Sequence, residues 1–124
     1  MLDEDLWQPS PVDLFRFSAA TFNSHRIHYD AVYTKEYERY PGLLVQGPFT
    51  AAKLFGFARR RAGRQPRTFS FRAEAPLYVS QPVRLSGVDD KGILVATRCD
   101  GAIAMTAVAR FDEADGETSL PSGL

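Results

Sequence analysis

The sequence predicts a single α+β domain in which an antiparallel sheet wraps around a central helix at about residues 48–62. The segment from Pro48 to Ala62 is apolar on nearly every side, as expected of a helix buried in the middle of a structure. From residue 67 onward apolar and polar positions alternate, which is the period of strands. Together these runs predict a meander of about four strands that encloses the helix. Turn signals separate the runs at Ser80-Gln81-Pro82, Asp89-Asp90-Lys91-Gly92 and Asp100-Gly101.

Size and charge narrow the classes of protein to which the chain can belong. Its 124 residues suffice for one compact domain and are too few for two. The 15 basic and 15 acidic side chains cancel, so neither nucleic acid nor a membrane is an expected partner. Cys99 is the only cysteine, which excludes an internal disulfide and a cysteine metal cage. The acidic opening is unlike a secretory signal, and no apolar run approaches the roughly 20 residues of a membrane span, so we expect a cytoplasmic domain.

The N-terminal half begins with a helix signal and continues into a polar loop. Ser10, Pro11 and Asp13 match a helix N-terminus, with a capping serine, a proline at the first position and an acid three residues after the serine. The apolar residues that follow share one helical face, but some of them also alternate, so a strand stays open beside the predicted helix. The helical face holds Val12, Phe15, Ala19 and Phe22, and the alternating residues are Phe15, Phe17 and Ala19. Residues 22–30 fit neither period and collect polar groups, as loops that carry chemistry do. A short helix at 31–39 should follow and end before Pro41.

The central segment carries its own boundary signals. Residues 43–45 are apolar and predict a short buried segment that leads into the helix. Gly47 and Pro48 suit the start of this helix, and the arginines at 59–61 suit the negative end of its dipole. Small residues on the last strand would let the sheet approach the helix closely. This arrangement is the hot-dog fold, predicted over residues 1–112 and followed by a polar tail at 113–124 that we expect to be flexible.

Two blocks of the sequence resemble a known family. The block Thr-Phe-Asn-Ser-His-Arg-Ile-His-Tyr-Asp at 21–30 resembles the motif Gly-Asp-x-Asn-Pro-x-His of MaoC-like enoyl-thioester hydratases, with Asn23 at the Asp place and His28 at the His place. The block Tyr-Pro-Gly-Leu-Leu-Val-Gln-Gly-Pro at 40–48 is similar to a second hallmark, in which His-Gly-Pro opens the central helix. The similarity covers roughly residues 7–55. It is closest to the branch of mesaconyl- and itaconyl-CoA hydratases and mitochondrial-type 3-hydroxyacyl thioester dehydratases.

The sequence departs from the family's pattern at two positions. Asn23 replaces the catalytic acid, and Gln46 replaces the histidine before Gly-Pro. Asparagine cannot exchange a proton near neutral pH, although its amide can donate and accept hydrogen bonds. The change at Gln46 bears on substrate preference more than on fold.

The resemblance implies a hydro-lyase that adds water to the β-carbon of an acyl thioester or removes it. His28 is then the general acid/base, because a histidine titrates near neutral pH and can shuttle a proton. Asn23 orients the water, and the free N–H of Gly47 stabilises charge on the thioester oxygen. A basic cluster after the helix would meet the phosphates of coenzyme A or an acidic acyl carrier protein. The residues predicted to bind substrate are Gln46, Pro48, Arg59 and Arg60. No cofactor and no metal ion are expected.

The other polar residues of the loop have structural interpretations. We expect His25 to be a structural neighbour of the site, and Tyr29 and Asp30 to brace the loop. The spacing of His25 and His28 suits a metal ion, but no further convincing ligands accompany the pair.

A hot-dog sheet leaves an edge strand that can pair with a second copy, and in this family the thioester channel lies in that interface. We therefore expect a homodimer, or a heterodimer with a second hot-dog subunit. Relatives in the closer branch often join two such domains in one chain, with the hydratase motif in the second. Two other functions stay open. One is an acyl-CoA thioesterase, for which Asp30 is the nearest carboxylate, and the other is a non-catalytic partner subunit in which Asn23 marks a lost site.

Overall fold

The computed structural model describes residues 4–88 and 92–111, which form a five-stranded antiparallel sheet and three α-helices. The strands are β1 (Glu4–Trp7), β2 (Thr68–Ala73), β3 (Val83–Gly87), β4 (Ile93–Arg98) and β5 (Ile103–Arg110). The helices are α1 (Pro11–Ala20), α2 (Ala31–Glu36) and α3 (Gly47–Ala62), with a 3₁₀ turn at Arg26–His28. The predicted α+β architecture is confirmed. The tail predicted at 113–124 lies outside the described residues.

A reciprocal cap starts α1. The Asp13 N–H donates to Ser10 Oγ at 3.1 Å, and the Ser10 N–H donates to Asp13 Oδ2 at 3.3 Å, so two donors at the helix end are satisfied. Leu14 and Ser18, one turn apart, are the buried residues of the helix. The strand interpretation of this stretch is therefore wrong. After α1 the chain turns at Phe22, whose backbone is left-handed with φ 55°.

The central helix α3 agrees with the predicted range to within one residue. It contacts strands β2 to β5, and Leu54 at its centre is 0% exposed. The residues of β4 and β5 in the same core are mostly small, which lets the sheet and helix approach closely: Leu94, Ala96, Ala104, Met105, Ala107 and Ala109. Gly63 ends the helix with φ 75°, a conformation in which glycine is strongly preferred. Within the described ranges, no helix is long and apolar enough to cross a lipid bilayer.

The strand order β1-β3-β4-β5-β2 corrects the predicted four-strand meander. Strands β3, β4 and β5 are consecutive neighbours, but β2 pairs with β5 and not with β3, with Phe71 opposite Ala107. The physical reason lies in the connection from β2 to β3. It pairs with the buried segment before α3, where the Val45 N–H donates to Leu77 O and the Val79 N–H to Leu43 O, each at 2.9 Å. These bonds carry the chain across to the far side of the sheet.

Strand β1 has no counterpart among the sequence predictions. It pairs with β3 in a register that sets Trp7 against Val83, and Trp7 is its one buried residue. The other three residues are acidic or exposed, so the alternation that marks the later strands is absent. Pairing with a strand distant in sequence holds β1 in place, and a local pattern does not reveal such pairing.

Candidate active site

Hydrogen bonds brace the loop between α1 and α2. The Asn23 N–H donates to Ser18 O at 2.8 Å, which ties the loop to the last turn of α1. The Asn23 side chain accepts the His25 N–H at Oδ1 over 3.2 Å. The Tyr29 hydroxyl donates to Ser24 O at 3.0 Å, so the predicted bracing role of Tyr29 is confirmed.

Asp30 caps the start of α2. Its Oδ1 accepts the Tyr33 N–H at 3.0 Å, and its Oδ2 accepts hydrogen bonds from the Arg26 guanidinium at 2.9 and 3.2 Å. The Tyr33 N–H and then Arg26 lower the pKa of the Asp30 carboxyl below its ordinary value. The predicted bracing role of Asp30 is therefore confirmed, and a carboxylate held in this way is a weak base.

His28 is the buried titratable group of the loop, at 9% exposed. Its Nδ1 lies 2.7 Å from Leu44 O, and the Leu44 N–H donates to Ile27 O at 2.9 Å. A carbonyl oxygen can only accept, so Nδ1 carries the proton and Nε2 of the neutral ring has a free lone pair. Burial lowers the pKa of His28 below 6.5, the bond to Leu44 opposes this with a smaller effect, and the charge of His25 contributes the least, in the lowering direction.

The bond to Leu44 brings His28 to the segment that opens α3. Gly47 follows Leu44 by three residues, so their Cα atoms are at most about 11 Å apart. As the first residue of α3, Gly47 has an N–H without an intrahelical acceptor. A Cβ at Gly47 would meet no atom within 4 Å, because the residue lines a cavity of about 340 Å³. Val45, Thr50 and Met105 also line this cavity.

Among the described residues, Asn23 and Gly47 line different cavities. Asn23 lines a more open hollow of about 450 Å³ together with Phe15, Phe22 and Tyr29. The Phe22 side chain is 93% exposed, next to Asn23 in the chain. Within one chain, the two predicted catalytic positions therefore face separate spaces.

Gln46 and Pro48 flank Gly47 but differ in exposure. Gln46 is 1% exposed, and its Nε2 donates to Leu14 O at 2.7 Å and to Ser18 Oγ at 2.9 Å. Pro48 is exposed and lines a shallow apolar hollow between α3 and β2, together with Phe55, Phe69 and Phe71.

Arg59 and Arg60 lie at the opposite end of α3. Arg59 is twelve positions after Gly47 along the helix, a distance of about 18 Å at about 1.5 Å per residue. Both arginines are exposed, and Arg60 forms an ion pair with Asp5 at 2.7 Å. If these arginines contact a substrate, they therefore contact a part of that substrate far from its reacting carbons.

Among residues 4–88 and 92–111, no group of three or more His, Cys, Asp and Glu is placed to hold a metal ion.

Two polar residues near the site, Ser18 and Thr50, were not singled out from the sequence. Ser18 is 5% exposed and Thr50 is 2% exposed. Each occupies the buried face of its helix, so a polar residue at a core-facing position was the signal that could have identified them.

Comparison with known proteins establishes the family. The model of the family described as hydroxyacyl-thioester dehydratase type 2 matches residues 3–79. The chain therefore belongs to this family, and the MaoC-like resemblance seen in the sequence is confirmed.

The curated relatives and a solved structure agree with this assignment. The chain is 48% identical over 105 residues to the mesaconyl-C(4)-CoA hydratase of Chloroflexus aurantiacus, and this match covers 83% of the chain and 38% of the relative. It is 34% identical over 83 residues to the mitochondrial hydroxyacyl-thioester dehydratase type 2 of Schizosaccharomyces pombe, covering 64% of the chain and 28% of the relative. The chain thus spans well under half the length of either relative.

The solved structure is the (R)-hydratase of A. caviae involved in PHA biosynthesis, with a TM-score of 0.73, 14% identity, and coverage of 88% of this chain and 92% of that one. At this identity the likeness concerns the fold, which is the hot-dog fold.

Proposed function

We propose that this chain is a hot-dog subunit of a hydro-lyase that reversibly hydrates an enoyl thioester to a 3-hydroxyacyl thioester. In hydration, His28 Nε2 takes a proton from water as the water oxygen bonds to C3. The C2=C3 electrons move toward the thioester carbonyl, and C2 then receives a proton. Asn23 cannot exchange protons, so His28 serves both transfers and returns to its neutral form.

The position of His28 is the single observation that carries this proposal. Its Nδ1 is fixed by Leu44 O at 2.7 Å, beside the segment that opens α3. A general base needs an unprotonated nitrogen, and burial lowers the pKa of His28 so that Nε2 is free of a proton at neutral pH. A ring held in a fixed position with an unprotonated Nε2 supports the proposed role of a proton shuttle.

Gly47 and Asn23 supply the polar contacts in the proposal. The Gly47 N–H lies at the positive end of α3 and would donate to the thioester oxygen as C2 becomes enolate-like. The open space in front of Gly47 leaves room for that oxygen. Asn23 has its Oδ1 engaged by the His25 N–H, so its Nδ2 is the atom that would hold the water or hydroxyl at C3.

For the acyl carrier, we propose coenzyme A or an acyl carrier protein. The name of the C. aurantiacus relative supports a C(4)-linked dicarboxylic acyl-CoA as a first substrate to test. Pro48 would contact the carrier arm near Gly47, and Arg59 and Arg60 would meet phosphates or an acidic protein surface about 18 Å away along α3. The predicted cytoplasmic location stays a prediction, since the S. pombe relative is named as mitochondrial.

We also propose that a second hot-dog subunit, the same or different, completes the site. Edge strand β2 has five exposed residues out of six, and Phe71 on it is 41% exposed. Pro48 and Phe55 of α3 continue this apolar surface. Asn23 and Gly47 line separate cavities in one chain, which supports a role for a partner in closing the substrate channel.

A spectrophotometric assay with crotonyl-CoA and mesaconyl-C(4)-CoA tests the reaction. Hydration consumes the absorbance of the conjugated enoyl thioester and releases no thiol, whereas a thioesterase releases free thiol. Loss of enoyl absorbance without thiol supports the proposal. If neither signal appears with the isolated chain or after co-expression with a genomically neighbouring hot-dog protein, the proposed activity fails.

The non-catalytic partner subunit is the second candidate, and one observation favours it. The Asn23 side chain already braces the loop through the His25 N–H, which is the role that a residue without catalytic function would keep. The thioesterase is less well supported, because both oxygens of Asp30 are engaged and its pKa is lowered.

A further inference from the structure

Gln46 links α1 to the start of α3. Its Nε2 donates one hydrogen bond to Leu14 O at 2.7 Å and another to Ser18 Oγ at 2.9 Å. Leu14 and Ser18 are four residues apart and therefore share one face of α1. All three residues are buried, at 1% exposed for Gln46, 0% for Leu14 and 5% for Ser18. Both N–H groups of the amide thus end on one buried helix face.

Each end of this link reaches a residue of the proposed site. On the α1 side, Ser18 O accepts the Asn23 N–H at 2.8 Å, so the residue that Gln46 contacts also anchors Asn23. On the α3 side, the backbone carbonyl of Gln46 accepts the Phe49 N–H at 3.0 Å and the Thr50 N–H at 3.2 Å. Gly47 is the next residue in the chain and begins α3. Gln46 therefore connects Ser18, which holds the Asn23 backbone, to Gly47, which begins α3.

The hydrogen bonds of the Gln46 amide are one-sided. Both donors are used, whereas Oε1 is buried and has no partner among the described residues. An amide buried for general polarity would have both of its atoms satisfied. In Gln46 only the two N–H donors of Nε2 form hydrogen bonds. Neither an apolar side chain nor a carboxylate could supply these donors.

We propose that Gln46 is a positioning residue, which sets the distance between Asn23 and the Gly47 amide by holding α1 against the start of α3. This inference rests on the proposed function, because it assigns Gln46 a task in that site. Gln46 acts through Asn23 and Gly47 and does not touch the substrate. The substrate-binding role that the sequence suggested for Gln46 is then replaced by this one.

Three variants of the full chain test the link. Gln46→Met keeps a side chain of similar length and removes both donors, and Ser18→Ala removes one of the two acceptors with a smaller risk to folding. Leu85→Ala, at a buried position on β3 that takes no part in the hydrogen bonds of Gln46, is the control for loss of stability alone. Each variant is assayed for kcat and KM with the enoyl-CoA that wild type hydrates. Amide hydrogen exchange of Asn23 is followed in parallel.

If Gln46 positions the site, Gln46→Met should lower kcat about 10- to 100-fold with KM changed by less than about threefold. Ser18→Ala should lower kcat less, and should have no further effect when combined with Gln46→Met. The Asn23 amide should exchange at least about tenfold faster in both single variants, while amides of β4 keep their protection. Leu85→Ala should lower the unfolding temperature without these changes.

Unchanged Asn23 exchange in Gln46→Met would overturn the link from Gln46 to Asn23, and faster exchange with unchanged kcat would overturn the positioning role. The hydrogen-exchange measurement on Asn23 can be made whether or not the chain is active. A wild-type chain that is silent toward every enoyl-CoA would remove the proposed function and, with it, the positioning role, whereas accelerated exchange in the variants would still establish the connection from Gln46 to Asn23.

Discussion

His28 Nδ1 lies 2.7 Å from the carbonyl oxygen of Leu44, a residue 16 positions later in the chain. Together with the backbone bond from the Leu44 N–H to Ile27 O, it fixes the ring to the segment that leads into α3. The bond also selects the tautomer with its proton on Nδ1, so the other nitrogen can accept a proton. One contact therefore sets both the position and the tautomer of the imidazole.

Removing the His28 ring should abolish most of the hydratase activity. We expect His28→Ala to lower kcat/KM about 10²- to 10⁴-fold, the usual contribution of a general acid/base. The matched control is His25→Ala, because His25 is exposed and lies next to His28, with ring centroids 5.9 Å apart. His25→Ala should keep activity within about tenfold of wild type. A folded His28→Ala variant with full activity, judged by circular dichroism and the enoyl-CoA assay, would contradict the assigned role.

The pH profile follows from the lowered pKa of His28. The active form is neutral, so kcat/KM for hydration should be level near pH 7 and fall on the acidic side with a midpoint below 6.5. Dehydration should show the same acidic limb, since the ring begins and ends each cycle neutral. His25→Ala should move the midpoint upward, because the charge on His25 lowers the pKa of His28. Initial rates in both directions measure this, and a midpoint above 6.5 in wild type would count against a buried His28 as the base.

Local signals explain how much of the fold could be predicted. Helix α3 carries its start, its apolar body and its basic end within one segment, and its range is correct to within one residue. Strand β1 was missed because only its pairing with β3 holds it in place, and β2 was given the wrong neighbour because a pattern of alternation does not say which strand lies beside it. Pairing between distant segments is decided by packing of the whole chain.

The same distinction applies to the site. His28, Asn23 and Gly47 were singled out from the motif, but their contacts could not be read from it. The bonds that organise them join distant segments, namely His28 to Leu44 and Gln46 to Ser18. Only the fold brings those segments together.

Gly47 and Gly63, at the two ends of α3, should respond differently to alanine. A Cβ at Gly47 meets no atom within 4 Å, and its φ is not positive, so Gly47→Ala should leave the unfolding free energy nearly unchanged. The new methyl group would stand in the space proposed for the thioester oxygen, and kcat/KM should fall about 10²-fold. Gly63 has φ 75°, so Gly63→Ala should cost about 1 kcal/mol of stability and leave kcat/KM unchanged. Denaturant unfolding and the enoyl-CoA assay measure the two effects, and equal responses from the two variants would contradict this prediction.

The two edges of the sheet offer a matched test of assembly. Phe71 on β2 and Leu6 on β1 are both exposed apolar residues on edge strands, at 41% and 76%. Phe71 adjoins an apolar hollow, which Pro48 and Phe55 of α3 also line. A charge buried without a partner in an interface is costly, so Phe71→Lys should convert the assembly to monomer and lower activity, whereas Leu6→Lys should leave both unchanged. Sedimentation velocity of the isolated chain, or of its co-expressed complex, measures the assembly. If Phe71→Lys assembles like wild type, the partner does not bind along β2, and if Leu6→Lys alone dissociates, the interface lies at the opposite edge.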